Sequence, residues 1–375
     1  MAPDLVVVGG GPVGLAAALA ARERGLEVLV VDREMPPIDK PCGEGVMPEG
    51  VSVLNQLGIH PTAQGVPFRG IRFAEDGLAV EAAFMAGHGL GIRRTRLHQL
   101  LIDRAGETGV AMRWGEPVTR ISRGRVELGG RSVACRWVIG ADGRGSRVRG
   151  WAGLRAPSSA PRRIGLRQHF SVAPWSDFVE VHWNDHGQAV VTPVSSDEIC
   201  ISILTNQARL RMPQLVELFP EIHRRLEGAA PSSQARGALC GSSVMRSVVG
   251  DGVALVGDAA GTVDALTGEG LSLGLREAVA LADAIALDKP GKYQAAHRRI
   301  RRMPRVMARL MLSVGERKSL RRRVLRGLIS QSRIFAYMLG MHTGTLSARD
   351  VPLGALTGFV REMFARDAFE DGDVA

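Results

Sequence analysis

Leu5-Val6-Val7-Val8-Gly9-Gly10-Gly11-Pro12-Val13-Gly14 is the stretch from which the rest of the chain is read. Four apolar residues ending in glycines fit a short strand buried on both faces. Leu15 to Arg24 follows as a helix closed by Gly25, and Glu27-Val28-Leu29-Val30-Val31-Asp32 supplies a second strand. In such a unit Gly9 permits the tight strand-to-helix turn, Gly11 admits a pyrophosphate against the backbone, and Gly14 lets helix and strand pack closely. The phosphates then rest on the positive end of the helix dipole, which needs no dedicated cation. Asp32 lies about twenty residues beyond the glycines, where an acid accepts hydrogen bonds from an adenosine ribose, and Arg33 follows it.

Two further glycine-bearing stretches stand in register with the first. Trp137-Val138-Ile139 runs into Gly140-Ala141-Asp142-Gly143, with a basic turn after it, so Asp142 reads either as a cofactor ligand or as a turn and helix cap. Val253-Ala254-Leu255-Val256 runs into Gly257-Asp258-Ala259-Ala260-Gly261. Asp258 thereby sits at a strand's carboxyl edge, where doubly wound sheets bind ligands, and suits ribityl hydroxyls. Gly268-Glu269-Gly270 opens a helix whose N-terminus can face the pyrimidine edge of a flavin and stabilise its anionic reduced ring. Three such stretches in this order point to FAD rather than a nicotinamide as the resident cofactor.

The chain has 375 residues, enough for two closely joined domains, and its 45% hydrophobic and 23% charged content is that of a globular protein rather than a disordered one. Leu5 to Ala21 lacks the basic start of a signal peptide and contains three consecutive glycines. No other stretch is long and apolar enough for a span, so the expected location is the cytoplasm. Cys42, Cys135, Cys200 and Cys240 lack paired spacing, which suggests neither a disulfide frame nor a metal site. The net charge of +10 is localised: residues 292–333 hold fourteen Lys or Arg against one acid, leaving the remainder near −3. That segment reads as a solvated arginine-rich face, or as a dock for an anionic membrane or an acidic carrier protein. Nucleic acid is not expected, because no reader motif accompanies the charge.

The expected fold class is α/β. A discontinuous Rossmann-like FAD-binding domain spans 1–65, 92–155 and 250–290. An antiparallel β-rich substrate domain spans 66–91 and 156–249, as alternation in Phe178-Val179-Glu180-Val181-His182-Trp183 suggests. A basic helical segment, broken at Pro304 and Gly315, spans 291–375. His169, His182, Trp183 and Gln188 are the candidate pocket residues of the β-rich part. A histidine such as His182 could deprotonate a phenol near neutral pH.

With these residues in place, about residues 4 to 290 resemble the p-hydroxybenzoate hydroxylase-like branch of the FAD-dependent glutathione-reductase superfamily. Trp137 to Arg149 is similar to its shared Ala-Asp-Gly element, and Arg94-Thr95-Arg96-Leu97 resembles the element whose first residue contacts FAD. The resemblance implies NAD(P)H as a transient co-substrate, O2, and hydroxylation or epoxidation of an aromatic or polyketide-like small molecule through a flavin C4a-hydroperoxide. That substrate could be lipophilic or carried on a protein.

Two departures keep a reductase in play. Gly261 stands where many aromatic hydroxylases have histidine, and Pro41-Cys42-Gly43-Glu44-Gly45-Val46-Met47-Pro48 resembles the Cys-Gly-Glu-Gly element of geranylgeranyl reductases. The alternative activity is reduction of prenyl or polyene double bonds. Those reductases' Tyr-x-Trp-x-Phe-Pro element is absent, and Ala189 to Val194 stands in its place. A halogenase is disfavoured, since no lysine lies between Lys40 and Lys289. A non-catalytic flavoprotein is the third alternative. Gly43, Gly45 and Met47 are expected to line the isoalloxazine ring, with Cys42 a flavin neighbour, a covalent attachment point or a packed thiol.

Overall fold

A computed structural model describes residues 2–154, 163–207 and 209–364. The expected boundary at 155/156 and the end of the basic segment, 365–375, lie outside the described residues. Leu5–Val8 is central in a six-stranded sheet, between Val28–Val31 and Trp137–Gly140. Ala111–Arg113, Val253–Leu255 and Val249–Gly250 complete it, all parallel except the last, which is an antiparallel edge. Every residue of the three central strands is buried, as continuous apolar runs require when helices cover both faces. Helix Pro12–Arg22 follows the first strand and packs on helix Gly270–Ala286. The approach is close: a Cβ added at Gly274 would lie 2.4 Å from the Val13 side chain.

The second sheet has eight strands and is antiparallel apart from one parallel pair, Gly70–Glu75 with Val179–Asn184. Its centre is Arg163–Ser171, Ile199–Thr205, Gly187–Pro193 and Val179–Asn184. Each of the three smaller sheets among the described residues reaches the cavity wall. One, Val118–Ser122, Arg125–Leu128 and Arg131–Ala134, interrupts the stretch assigned to the cofactor domain. Another pairs Gly45–Val46 with Gly89–Gly91, tying the loop after Cys42 to the second sheet's entrance.

Helices Pro290–Gly315, Lys318–Ser330, Ser332–Thr343 and Leu353–Phe364 follow. The break expected at Pro304 does not occur. Proline removes one backbone hydrogen bond, but Ile300, Pro304, Met307 and Ala308 are buried together on one face and hold the helix through it. The break at Gly315 is present. The segment is also not a uniformly solvated basic face, because Arg301 and Arg321 are only 2% and 1% exposed.

Candidate active site

The first turn is forced by backbone proximity. Gly9 has φ +111°, and a Cβ there would lie 2.4 Å from the Ala141 carbonyl oxygen, because two parallel strands end side by side. A Cβ at Gly14 would lie 1.9 Å from the Gly9 carbonyl oxygen, so this glycine sets the strand–helix contact and does not face the cavity. Gly11 is the N-cap of helix Pro12–Arg22 without a side-chain cap, which leaves the first amides for a ligand. Asp32 Oδ2 accepts a 2.7 Å bond from the Gly10 amide and Oδ1 a 2.9 Å bond from the Glu34 amide. Both oxygens keep lone pairs for a ribose. Arg33 is exposed at the cavity rim beside Glu34.

His98 also supports this turn and was missed in the sequence. Its Nε2 donates to the Gly10 carbonyl at 2.7 Å, and its Nδ1 accepts from the Ile38 amide at 3.2 Å, which specifies a neutral ring. Burial lowers its pKa in the same direction. The available signal was its spacing: His98 lies one turn beyond Arg94 on helix Arg94–Glu107, hence on the same face. Arg94 lines the cavity with a buried Nε that has no partner, close to Gly11.

Asp142 serves chiefly as a cap. Its oxygens accept from Ser146 Oγ at 2.5 Å and from the Arg147 and Val148 amides at 2.7 and 3.2 Å, which sets helix Arg147–Trp151 at the cavity wall. Asp258 presents an accessible carboxylate inside the cavity yet is surrounded by protein. That depth raises its pKa although Arg301, Arg94 and Arg144 oppose the change.

Behind Asp258, Arg301 donates to the Gly257 carbonyl at 2.9 Å, to the Gly261 carbonyl and to both oxygens of Glu277. Glu277 in turn accepts from the Gly257 amide at 3.1 Å. Burial alone would raise the pKa of Glu277, but Arg301 and His297 bring it down to about 2. A residue of the basic segment thus clamps the third glycine stretch, and nothing in the local sequence of Arg301 signals that role.

Cys42, Gly43, Gly45 and Met47 line the same cavity, as do Gly257, Gly268 and Gly270. Glu44, the residue between the two loop glycines, has φ +60° and is 2% exposed. Its carboxylate accepts from the Arg94 amide at 3.1 Å and meets His169 Nε2 at 2.6 Å. Its carbonyl accepts from the Ile92 amide at 3.0 Å. These bonds hold a non-glycine residue in a left-handed conformation, a strain that persists only where the surroundings over-determine it.

His169 is therefore a support for the loop and not a pocket residue. Glu44, His169 and Cys200 place ligand-type atoms within 4.8 Å of one another. The Arg93 and Arg167 guanidiniums both reach His169 Nδ1 and would repel an added cation, so the group reads as an ion-pair network. Cys42 Sγ accepts from the Glu44 amide at 3.3 Å, and burial raises its pKa, which favours a neutral thiol over a reactive thiolate.

The cavity has a volume of about 1040 Å3 and extends past this loop into an apolar chamber. Val179, Val181 and Trp183 face it from one strand, and Trp183 stacks on Phe73 with centroids 4.5 Å apart. His182 does not reach it. Strand alternation turns Glu180 and His182 to the opposite face, where His182 Nε2 lies 3.0 Å from Glu180 and Nδ1 3.8 Å from Glu221. Gln188 is a support: its Oε1 accepts from Trp183 Nε1 at 3.0 Å. The C-terminal helices roof the chamber through Met311, Leu328, Phe335 and Leu339 among others.

Among the described residues, one titratable group in the roof faces this chamber. His342 lines it, with Nε2 3.1 Å from Glu269 Oε1 at the start of helix Gly270–Ala286. Burial lowers its pKa to about 4. Burial and the nearby Glu49 push Glu269 well above the usual carboxylate range, and burial raises Glu49 to about 7. None of the four oxygens of Glu49 and Glu269 has a hydrogen-bond partner.

The cavity fits FAD on three counts: open helix amides at Gly11, the Arg94 guanidinium next to them with its Nε unpartnered, and a continuous path to the loop 43–47. Residues 3–297 match the FAD binding domain family. The chain belongs to that family. It is an FAD-dependent oxidoreductase, and FAD is its cofactor. Menaquinone reductase of Mycobacterium tuberculosis is 31% identical over 72% of this chain and 74% of its own. Digeranylgeranylglycerophospholipid reductase 1 of Methanopyrus kandleri is 30% identical over 72% of this chain and 77% of its own. In structure, 2-methyl-3-hydroxypyridine-5-carboxylic acid oxygenase superposes with a TM-score of 0.73 at 21% identity, over 90% of this chain and 95% of that one. That likeness supports the same fold in this FAD binding domain protein.

Proposed function

We propose that this flavoenzyme is an NAD(P)H-using monooxygenase acting on a lipophilic aromatic or polyketide-like molecule. The observation that carries the reading is the apolar chamber joined directly to the flavin-facing loop. The flavin, when bound, supplies electron transfer from NAD(P)H and activation of O2. The chain's own part is positional. Gly11 and Arg94 hold the diphosphate, Asp32 the ribose and Asp258 the ribityl chain, while Gly43, Gly45 and Met47 bound the ring. Phe73, Val181 and Trp183 orient the substrate's apolar part and exclude water, which protects a reactive oxidant from waste.

A second reading, reduction of a prenyl or quinone lipid, is favoured by the loop Cys42 to Met47 and by the menaquinone and digeranylgeranylglycerophospholipid reductases among the relatives. Rapid mixing of the anaerobically reduced protein with oxygenated buffer, followed by turnover under 18O2, separates the two. A transient absorbance before reoxidation and one labelled oxygen in the product support the monooxygenase. Substrate reduction by NAD(P)H without O2 overturns it in favour of the reductase.

A further inference from the structure

The last helix carries a feature that neither cofactor binding nor the chamber explains. Leu353, Leu356, Val360 and Phe364 are 79%, 46%, 45% and 72% exposed. Their spacing of three, four and four residues places them in one stripe along the helix. No residue of this helix is buried, and the flank adjoining the stripe holds it in place through Phe359 and Met363 against Gly327. Bare leucine and phenylalanine in such a stripe mark an interaction surface rather than ordinary scatter.

A second helix face matches it in chemistry. On Pro290–Gly315 the positions 299, 302, 306, 309 and 310 share one side, where Arg299, Arg302 and Arg309 are exposed and Val306 and Leu310 are 53% and 47% exposed. Leu310 also lines the cavity, as do Phe359 and Met363 of the last helix. The chamber's apolar end is thus framed by the two helices that carry exposed apolar and cationic side chains.

We propose that these two helix faces form a peripheral dock for an anionic lipid bilayer, with the chamber's apolar end opening against it. Apolar side chains enter the headgroup–acyl boundary while guanidiniums meet phosphates at its surface, the arrangement of an interfacial helix. An acidic protein partner would use the arginines but give no reason for the bare stripe. No helix among the described residues is long and apolar enough to cross a membrane, so the contact is lateral. Arg301 and Arg321, although basic, take no part, being buried against Glu277 and against Glu75 and Asp185. The dock rests on the lipophilic-substrate reading only for its purpose, and its test needs no turnover.

The test is co-sedimentation of the full-length holoprotein with vesicles of equal parts phosphatidylglycerol and phosphatidylcholine, and with phosphatidylcholine alone. Binding to the anionic vesicles that weakens with salt is expected. Leu353→Asp with Phe364→Asp lowers partitioning by about tenfold or more at unchanged flavin content. Arg302→Gln with Arg309→Gln removes the preference for anionic lipid and flattens the salt dependence. Absence of wild-type binding, or undiminished binding by both double variants, overturns the proposal. A wild-type dimer that the Leu353/Phe364 variant dissociates, without vesicle binding, reassigns the stripe to a second copy of the chain. Binding only after removal of residues 365–375, which carry Asp367, Glu370, Asp371 and Asp373, assigns it to that tail.

Discussion

At the end of the cavity proposed for the cofactor, glycine-rich backbone forms much of the wall, with Asp32, Arg94 and Asp258 beside it. The amides beyond Gly11, the turn at Gly257 and the loop around Gly43 and Gly45 come from three short stretches, each contiguous in sequence. The end proposed for the substrate is lined by large apolar residues far apart in sequence: Phe73 and Trp183 from one sheet, Met311, Leu328 and Phe335, with His342, from three later helices. A backbone-made site tolerates almost no change at its glycines. A side-chain-made site can be altered residue by residue, which is how one FAD scaffold can serve different substrates.

The sharpest way to break this contrast is Gly14→Val. Its Cβ would meet the Gly9 carbonyl oxygen at 1.9 Å, backbone that cannot yield. The purified protein is expected to lose its yellow flavin absorbance entirely, or to fail to fold. A fully flavinated Gly14→Val protein would show that the cradle is softer than the geometry implies.

Arg301→Met is next in size, since it leaves Glu277 buried without its main partner at a cost of about 3–5 kcal/mol. A fall in thermal midpoint with loss of FAD is expected. The pH dependence has a definite sign. Glu277 has a folded pKa of about 2 against 4.5 for a free glutamate, so its stabilisation is present above 4.5 and lost as pH falls through 2. Urea titrations from pH 6 to 2 should show that loss in the wild type and much less of it in Arg301→Met.

Glu49 behaves oppositely. Its folded pKa is raised from 4.5 to about 7, so the folded state binds the extra proton and stability declines as pH rises through that interval. Glu49→Gln is expected to gain about 1–3 kcal/mol at pH 8 and nothing at pH 4, read from thermal midpoints. Equal behaviour at both pH values would remove the buried-acid reading.

The smallest effect tests the two faces of one strand. Trp183→Phe should raise the KM for a lipophilic substrate several-fold while leaving flavin content intact. His182→Ala should leave turnover within about twofold, because its side chain faces Glu180 and Glu221. A large fall in kcat for His182→Ala would return that histidine to the chemistry.

Alternation around His182 was already visible in Val179-Glu180-Val181-His182-Trp183, and reading the valines rather than the histidine toward the cavity would have placed it correctly. Glu44 and His98 were less legible. Glu44 stands inside the Cys42-Gly43-Glu44-Gly45 stretch, but its carboxylate finds His169 from a strand more than a hundred residues later, a partner no local pattern predicts. Pro304 misled for a related reason: its local tendency to break a helix is overcome by burial that only the packed neighbours supply.

What the sequence by itself determined is the cofactor, because strand, tight turn and helix N-terminus are local structures whose glycine spacing is set by backbone sterics. What only the tertiary structure decided is the meaning of the basic segment. Arg301 and Arg302 are adjacent and chemically identical, yet one is clamped by Glu277 behind Asp258 and the other faces solvent on the helix side that carries the exposed Val306 and Leu310. Burial and partner are long-range properties, and a guanidinium carries no local mark of which it will receive.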